Sequence, residues 1–391
     1  MDTYLLFFII LAIVFVIPNL LRKFNVPAIT SVILAGILIG PHGLNILQLD
    51  ETLKIFADFG AIFLMFLAGM EIDNETLRDE FKNSIVISIF SLTIPAIGGY
   101  LIGRLFGLNF IGALLYASIF SSHSVGVVYS LINELKLTKS KFGTTVLSAT
   151  IIVDIVSLII LSIIIKMSTN SYNTDILYYV LLVVLYISVL LLTIPFISKI
   201  IFERYKHYHI RRIHFVLFII LISVLVGEHI GLHPIIGAFI TGVAVSEALT
   251  KEEHDEILNK NLNAIGYGFF IPIFFLTLGM SVDIGVLSNP KNITLILATV
   301  VGLISLKTIS GYISFRILGY DKLKSICGGL LTTPQVSASL VAATVGRELG
   351  ILSNEFFVAV VALSLITSTI IPIVVKHIFV KNCSKYKNKN K

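Results

Sequence analysis

The sequence predicts an all-α, polytopic membrane protein, and three features carry that prediction. Of the 391 residues, 56% are hydrophobic and only 13% are charged, and the mean hydropathy is +0.95. A water-soluble globule has too little polar surface at this composition. Long apolar stretches recur along almost the whole chain, and some of their motifs occur twice. This pattern argues against a cytosolic enzyme, a nucleic-acid-binding protein and a secreted disulfide scaffold.

Thirteen apolar segments are long enough to cross a bilayer as helices. A helical crossing needs about 20 apolar residues, because every backbone polar group must be satisfied within the segment. The division between the eighth and ninth segments rests on the sequence Gly231–Pro234. The predicted spans are 3–20, 28–47, 53–71, 84–106, 109–133, 143–166, 175–202, 210–231, 233–249, 263–281, 292–318, 324–346 and 355–380.

The distribution of basic residues predicts how the chain is oriented. With thirteen spans, most of the 29 Lys and Arg residues fall in loops on one side, including the tail that follows residue 380. Loops rich in Lys and Arg face the cytoplasm. We therefore expect a multi-pass protein of the cell membrane with its N-terminus outside, its C-terminus in the cytoplasm and no soluble regulatory domain.

An internal repeat relates two parts of the chain, about 27–166 and 233–380. Three short motifs recur in the same order, 207 to 212 residues apart. Corresponding spans are seven apart, so the two copies run in opposite directions through the membrane. Inverted repeats are typical of secondary transporters, whose binding site lies near mid-membrane where the repeats meet. The recurring motifs are Pro27–Ile29 with Pro234–Ile236, Gly69–Asp73 with Gly279–Asp283, and Gly99–Arg104 with Gly311–Arg316.

Spans 5 and 12 correspond in the repeat, and polar residues interrupt both. Non-helical backbone at membrane depth is tolerated where it lines a cavity or is buried in protein. Two broken helices place half-helix ends opposite each other, where they can bind ions. The alternative is that Ser and Thr side chains bond to carbonyls one turn earlier and only bend the helices. The predicted polar ligands of the first interruption are Ser122, His123 and Ser124, and the predicted non-helical residues are Val125, Gly126, Thr333, Pro334 and Gln335.

Asp154 is the carboxylate nearest the centre of any predicted span. Thr150 precedes it by four residues and Ser157 follows it by three, so the three oxygen-bearing side chains share one helical face. Oxygen ligands of this kind suit an alkali cation rather than zinc or copper. The alternative is a neutral carboxylic acid that is hydrogen-bonded for packing. Intramembrane ionisable residues mark functional sites by default.

Two further ionisable residues are predicted to lie within the bilayer. Lys307, the only cation in the middle of a span, can pair with Asp154, hold the carbonyls of a half-helix or release a proton. His123 can carry protons or simply form hydrogen bonds.

The chain resembles the monovalent cation:proton antiporter superfamily, in its Kef/NapA-like sodium/hydrogen exchanger branch, over nearly its full length. This resemblance implies an NhaA/NapA-like fold with two crossed broken helices, a mobile core of spans about 84–166 and 292–380, and a dimerisation scaffold formed by the remainder. It also implies a homodimer, an ion-binding aspartate at Asp154, a core lysine at Lys307 and a hydroxyl ligand at Thr150. The resemblance is carried by the segments Ala35–Leu44, Phe66–Glu71, Ser122–Gly126, Ile236–Phe239 and Pro272–Phe275.

The chain departs from this family pattern at two places. Val153 stands where the family usually has Asp, Asn or Gln before the ion-binding aspartate, and this favours electroneutral exchange. The second interruption reads Thr332–Gln335 where many Kef-like relatives have Arg-Gly-Glu.

The predicted function is therefore secondary antiport. We expect Na⁺ or Li⁺ to exchange for H⁺ by alternating access, with the cation and the proton competing for Asp154. The alternatives are a K⁺/H⁺ antiporter or a Kef-like potassium efflux protein, an organic-anion symporter of similar inverted-repeat architecture, and a sensor or assembly subunit that transports nothing. The sequence has no arrangement typical of an enzyme, and we expect neither a cofactor nor a nucleic-acid partner.

Overall fold

The chain is all-helical in the computed structural model. The structure describes residues 3–24, 26–71, 80–137, 140–168, 176–249 and 253–387, and it contains no β-strand within them. Asp73, the last residue of one recurring motif, lies outside the described residues, as does part of the basic tail.

The described residues form sixteen α-helices, and one π-helical turn, Gly266–Phe270, joins the eleventh to the twelfth. Short 3₁₀ turns occur at Arg22–Phe24 and Ile284–Ser288. The helices are α1 (Thr3–Leu21), α2 (Ala28–Ile39), α3 (Glu51–Met70), α4 (Phe81–Leu105), α5 (Phe110–Ser121), α6 (Val125–Glu134), α7 (Lys141–Ser168), α8 (Ile176–Arg204), α9 (His209–His229), α10 (Pro234–Ala248), α11 (Glu253–Ile265), α12 (Ile271–Met280), α13 (Pro290–Ile317), α14 (Lys322–Leu331), α15 (Ser337–Glu348) and α16 (Asn354–Lys387).

Ten helical segments within the described residues are long and apolar enough to cross a membrane, and α2 and α10 are shorter apolar helices. The predicted division between spans 8 and 9 is confirmed, because α9 ends at His229 and α10 begins at Pro234. The total of thirteen spans stays a prediction.

The predicted extent of span 2, 28–47, was wrong, since α2 ends at Ile39. Gly40 adopts extended backbone with φ −69° and ψ 177°. It precedes Pro41, and a residue before proline is disfavoured in helical conformation.

Side-chain caps fix where both broken spans begin. The Asn109 side chain accepts a hydrogen bond from the Gly112 amide at 2.7 Å, and Asp321 accepts one from the Lys324 amide at 2.9 Å. The first amides of a helix have no intrahelical partner, so Asn and Asp stabilise its start.

The chain divides into two compact units. One contains Met1–Asn74 and Ile165–Asp283, and the other contains Glu75–Ile164 and Ile284–Lys391. Helices α1–α3 and α8–α12 belong to the first unit. Helices α4–α6, most of α7 and α13–α16 belong to the second.

Glycines bring helices of the first unit into backbone contact. A β-carbon at Gly69 of α3 would lie 2.2 Å from the Phe239 carbonyl oxygen of α10, and one at Gly242 of α10 would lie 2.1 Å from the Phe66 carbonyl oxygen of α3. Helices α2 and α12 approach equally closely at Gly36 and Gly279. Small residues permit such close approach between helices in membranes.

The same turn ends α4 and α13 in the second unit. Gly107 follows α4 with φ +103°, and Gly319 follows α13 with φ +83°, a conformation that glycine adopts without steric cost. Arg104 and Arg316 each donate to the carbonyl of the residue after their glycine, at 2.9 and 2.8 Å. The shared turn supports the predicted duplication, which remains a prediction.

Replacing Gly242 with alanine is expected to lower the thermal stability of the protein, because the new methyl group meets backbone rather than a movable side chain. Overpacking of this kind costs about 1–3 kcal/mol. Gly268→Ala is the matched control, since a β-carbon there has no heavy atom within 4 Å. Thermal unfolding in detergent measures both variants. Equal melting temperatures for the two variants would contradict the prediction.

Candidate functional site

The first broken helix lies in the second unit. Helix α5 ends at Ser121 and α6 begins at Val125, leaving only residues 122–124 outside helix. The predicted break is confirmed, but Val125 and Gly126 were placed wrongly within it: they are the first two residues of α6. The chain resumes helical geometry as soon as Ser124, in extended conformation, serves as the N-cap residue.

Asp154 meets the start of α6. Its carboxylate is 1% exposed, and its Oδ1 accepts a hydrogen bond from the His123 amide at 3.1 Å. The Val125 amide also faces this carboxylate. A buried charge is costly unless it is paired or hydrogen-bonded, and a helix N-terminus favours negative charge. Helix α6 therefore supplies partial positive charge where Asp154 needs it.

Lys307 meets the end of α5, where the carbonyl groups of the last turn face the break. Its Nζ donates to the Ser121 carbonyl at 2.6 Å and to the Ser91 carbonyl at 3.2 Å, and it lies 3.5 Å from the Ser91 hydroxyl. The side chain is fully buried. A cation is favourable at a helix C-terminus. These contacts agree with one of the three predicted roles, the binding of a half-helix carbonyl, and the role of Lys307 stays a prediction.

The described residues contain no ion pair between Lys307 and Asp154. An ammonium group has three donors, and the three Ser oxygens account for them. Each side chain thus hydrogen-bonds to one end of the break: Lys307 to the Ser121 carbonyl and Asp154 to the His123 amide.

The His123 imidazole is fully buried beside these groups. Its Nε2 lies 2.8 Å from the Ser91 hydroxyl, and Nδ1 has no hydrogen-bond partner among the described residues. The Ser91 hydroxyl therefore contacts both His123 and Lys307.

The second broken helix is also confirmed, since α14 ends at Leu331 and α15 begins at Ser337. Thr333, Pro334 and Gln335 lie in the non-helical segment, and all three are buried. The Thr333 hydroxyl donates to the Gly329 carbonyl at 3.0 Å.

Gln335 joins the two breaks. Its Nε2 donates to the Ser122 carbonyl at 2.5 Å, and its Oε1 lies 2.8 Å from the Ser122 hydroxyl. Ser339 also donates to Oε1. The second break carries no charged side chain, so neutral groups satisfy its polar atoms.

The hydroxyl groups predicted as ion ligands do not hydrogen-bond to the Asp154 carboxylate. Thr150 donates to the Val146 carbonyl at 2.9 Å, and Ser157 donates to the Asp154 carbonyl at 3.0 Å. Ser124 is buried but its side chain does not cap α6. The protons of the Thr150 and Ser157 hydroxyls are hydrogen-bonded to carbonyls. Their oxygens keep lone pairs that can still coordinate a cation.

This donor set suits a proton or a hard cation. The carboxylate and the nearby hydroxyls of Thr150 and Ser157 are oxygen ligands, which alkali and other hard cations prefer, and the one buried nitrogen ligand beside them in the described part of the chain is His123. The described residues contain no cluster of three or more His, Cys, Asp and Glu side chains that could hold a metal ion.

Four polar residues of the site were missed by the sequence analysis. Ser91 lies on α4, Ser339 on α15, and Ser364 and Thr367 on α16. Each is buried and hydrogen-bonds to a residue distant in the sequence or to the second break. Ser and Thr in membrane helices commonly bond to their own helix, so no sequence signal distinguishes these four.

The comparisons with known proteins agree on one family. The family model for the transmembrane sodium/hydrogen exchanger matches residues 9–381. The probable Na⁺/H⁺ antiporter 3 of Methanocaldococcus jannaschii is 64% identical over 382 residues, which cover 98% of each chain. A Na⁺/H⁺ antiporter of Enterococcus hirae is 29% identical over 365 residues, covering 91% of this chain and 92% of the relative.

The fold is similar to that of a solved structure. The sodium proton antiporter MjNhaP1 from Methanocaldococcus jannaschii, at pH 8, matches with a TM-score of 0.73 over 95% of this chain and 96% of that chain. The sequence identity is 15%, so this likeness shows the fold alone. The family model covers nearly the whole chain, and together with the relatives it shows that this chain belongs to the sodium/hydrogen exchanger family.

Proposed function

We propose that this protein exchanges Na⁺ for H⁺ across a membrane, with both ions competing for Asp154. The observation that carries the proposal is a fully enclosed carboxylate at the start of a half-helix, in a chain of the sodium/hydrogen exchanger family. The relatives named as Na⁺/H⁺ antiporters support the same function.

Competition follows from the chemistry of a single carboxylate. A cation needs Asp154 ionised, whereas the bound proton neutralises it, so the site holds one ion or the other. Thr150, Ser157, Ser122 and Ser124 are the proposed sources of further oxygen ligands. The His123 amide orients the carboxylate in both states.

The unit that contains this site is the proposed mobile core, and the other unit is the proposed scaffold. Alternating access requires the bound site to open to one side of the membrane at a time. We further propose a homodimer in the cell membrane, with the N-terminus outside and the C-terminus in the cytoplasm. The distribution of Lys and Arg supports this orientation.

Electroneutral exchange is the proposed stoichiometry. Val153 offers no second carboxylate beside Asp154, and the three donors of Lys307 are used by Ser91 and Ser121. Asp154 is then the only proton carrier, and one H⁺ replaces one Na⁺. Lys307 keeps its charge to hold α5.

Potassium transport is the second candidate function. The Na⁺/H⁺-K⁺ antiporter GerN of Bacillus cereus is 28% identical over 359 residues, which cover 90% of each chain. Its name includes K⁺, and the rates of exchange with Na⁺, Li⁺ and K⁺ in the same vesicles distinguish the two candidates.

Asp154→Asn is expected to abolish cation-dependent proton flux in proteoliposomes. Asparagine keeps an oxygen for the His123 amide but can neither ionise nor carry a proton. Asp58→Asn is the matched control, because Asp58 is an exposed carboxylate of α3 in the other unit. Sodium-dependent proton flux in Asp154→Asn at the wild-type rate would refute the proposed function.

Lys307→Met is expected to lower the melting temperature of the protein in detergent while leaving measurable exchange at low temperature. The change removes the donors to two buried carbonyls, and each unpaired group costs about 1–3 kcal/mol. Lys291→Met on the same helix, where the side chain is exposed, is the control. An unchanged melting temperature together with complete loss of exchange would show that Lys307 acts in transport itself.

Wild-type exchange is expected to be independent of membrane potential. One positive charge moves each way in every cycle, so no net charge crosses the membrane. Initial proton flux is measured in vesicles with imposed potentials of either sign and equal ion gradients. A rate that rises with potential of one sign would exclude the one-for-one exchange.

A further inference from the structure

Every backbone and side-chain polar group of Gln335 forms a hydrogen bond. Besides the side-chain bonds to Ser122 and Ser339, its amide donates to the Thr367 hydroxyl at 3.2 Å, and its carbonyl accepts from the Ser364 hydroxyl. Ser364 and Thr367 are one turn apart on α16. The backbone of Gln335 is thereby fixed to α16 while its side chain reaches the first break.

The side chain of Gln335 reaches one particular peptide group. The carbonyl of the Ser122–His123 peptide accepts from Gln335 Nε2 at 2.5 Å, and the amide of the same peptide donates to Asp154 Oδ1 at 3.1 Å. One planar unit therefore receives a hydrogen bond on one side and gives one to the carboxylate on the other.

We propose that Gln335 is a positioning residue for Asp154, acting through the Ser122–His123 peptide, and that it sets the affinity of the site for Na⁺. This inference rests on the proposed function of Asp154. It adds a residue of the second break to the group that determines how tightly the first break binds the cation.

Two physical effects support this role. Because the peptide is planar, holding its carbonyl also fixes the direction of its amide. A hydrogen bond to a carbonyl also polarises the peptide and strengthens the bond made by its amide. Both effects favour the ionised carboxylate in the geometry that a cation needs.

The chemistry of a carboxamide explains why glutamine suits this position. Ser122 presents a carbonyl, which needs a donor, and a hydroxyl, which can donate to an oxygen. A carboxamide offers one donor group and one acceptor. Methionine has nearly the same length but lacks the donor, and asparagine has the donor on a shorter side chain.

The test is the Na⁺ dependence of exchange by Gln335→Met in proteoliposomes. Loss of one hydrogen bond is expected to raise the apparent KM for Na⁺ about 3- to 10-fold. The maximal rate is expected to stay within about twofold of wild type, because Asp154 and the moving parts are unchanged. Na⁺-dependent thermal stabilisation in detergent gives the binding affinity without transport, and it is expected to need a correspondingly higher Na⁺ concentration.

Gln335→Asn is the second variant, since it keeps a polar group beside the break if the methionine variant fails to fold. Its KM for Na⁺ is expected to rise in the same direction. Gln48→Met controls for the substitution at an exposed position, and Ser325→Ala controls for loss of a buried hydroxyl in the same broken span. Ser325 donates only to the carbonyls of Asp321 and Tyr320, the two residues that precede its helix.

A wild-type KM for Na⁺ in folded Gln335→Met or Gln335→Asn would overturn the inference, even if the melting temperature falls. Such a result would leave Gln335 as a structural link only. Failure of the proposed function has a different signature, because it would appear as persistent exchange in Asp154→Asn.

Discussion

The balance of charge at the first break is the interaction on which the rest of the site depends. Interrupting a helix inside a membrane exposes carbonyls at one end and amides at the other. Lys307 satisfies the carbonyl end through Ser121, and Asp154 faces the amide end at His123 and Val125. Both side chains are buried, and each hydrogen-bonds to one end of the break. The carboxylate is thus free of a contact ion pair with Lys307 in the described residues, as the proposed exchange at Asp154 requires.

At the second break, uncharged side chains satisfy the backbone carbonyls and amides that the interruption exposes. Gln335 satisfies its own backbone through α16 and gives its side chain to Ser122. A neutral arrangement costs less to bury than an ion pair. The first break therefore contacts the ionisable side chains, and the second break fixes the geometry of the first through Gln335.

The sequence predicted the helical membrane fold, both interruptions and the central position of Asp154, because apolar length and misplaced polar residues are local signals. It did not predict which group each side chain would contact. Thr150 and Ser157 share a helical face with Asp154, yet their protons bond to backbone carbonyls. Ser91 and Thr367 reach the site from helices that carry no distinguishing motif. Such contacts depend on tertiary packing, which helical periodicity does not encode.

The close contact of Gly36 with Gly279 constrains the order in which the protein can assemble. These residues are far apart in the chain, and α2 and α12 touch backbone to backbone where they meet. At ordinary rates of translation, roughly 10–50 s separate the synthesis of the two positions. Meanwhile α4 to α7, which belong to the other unit, must enter the bilayer. Helix α2 can therefore complete this contact only after α12, and the helices encoded between them, have been synthesised.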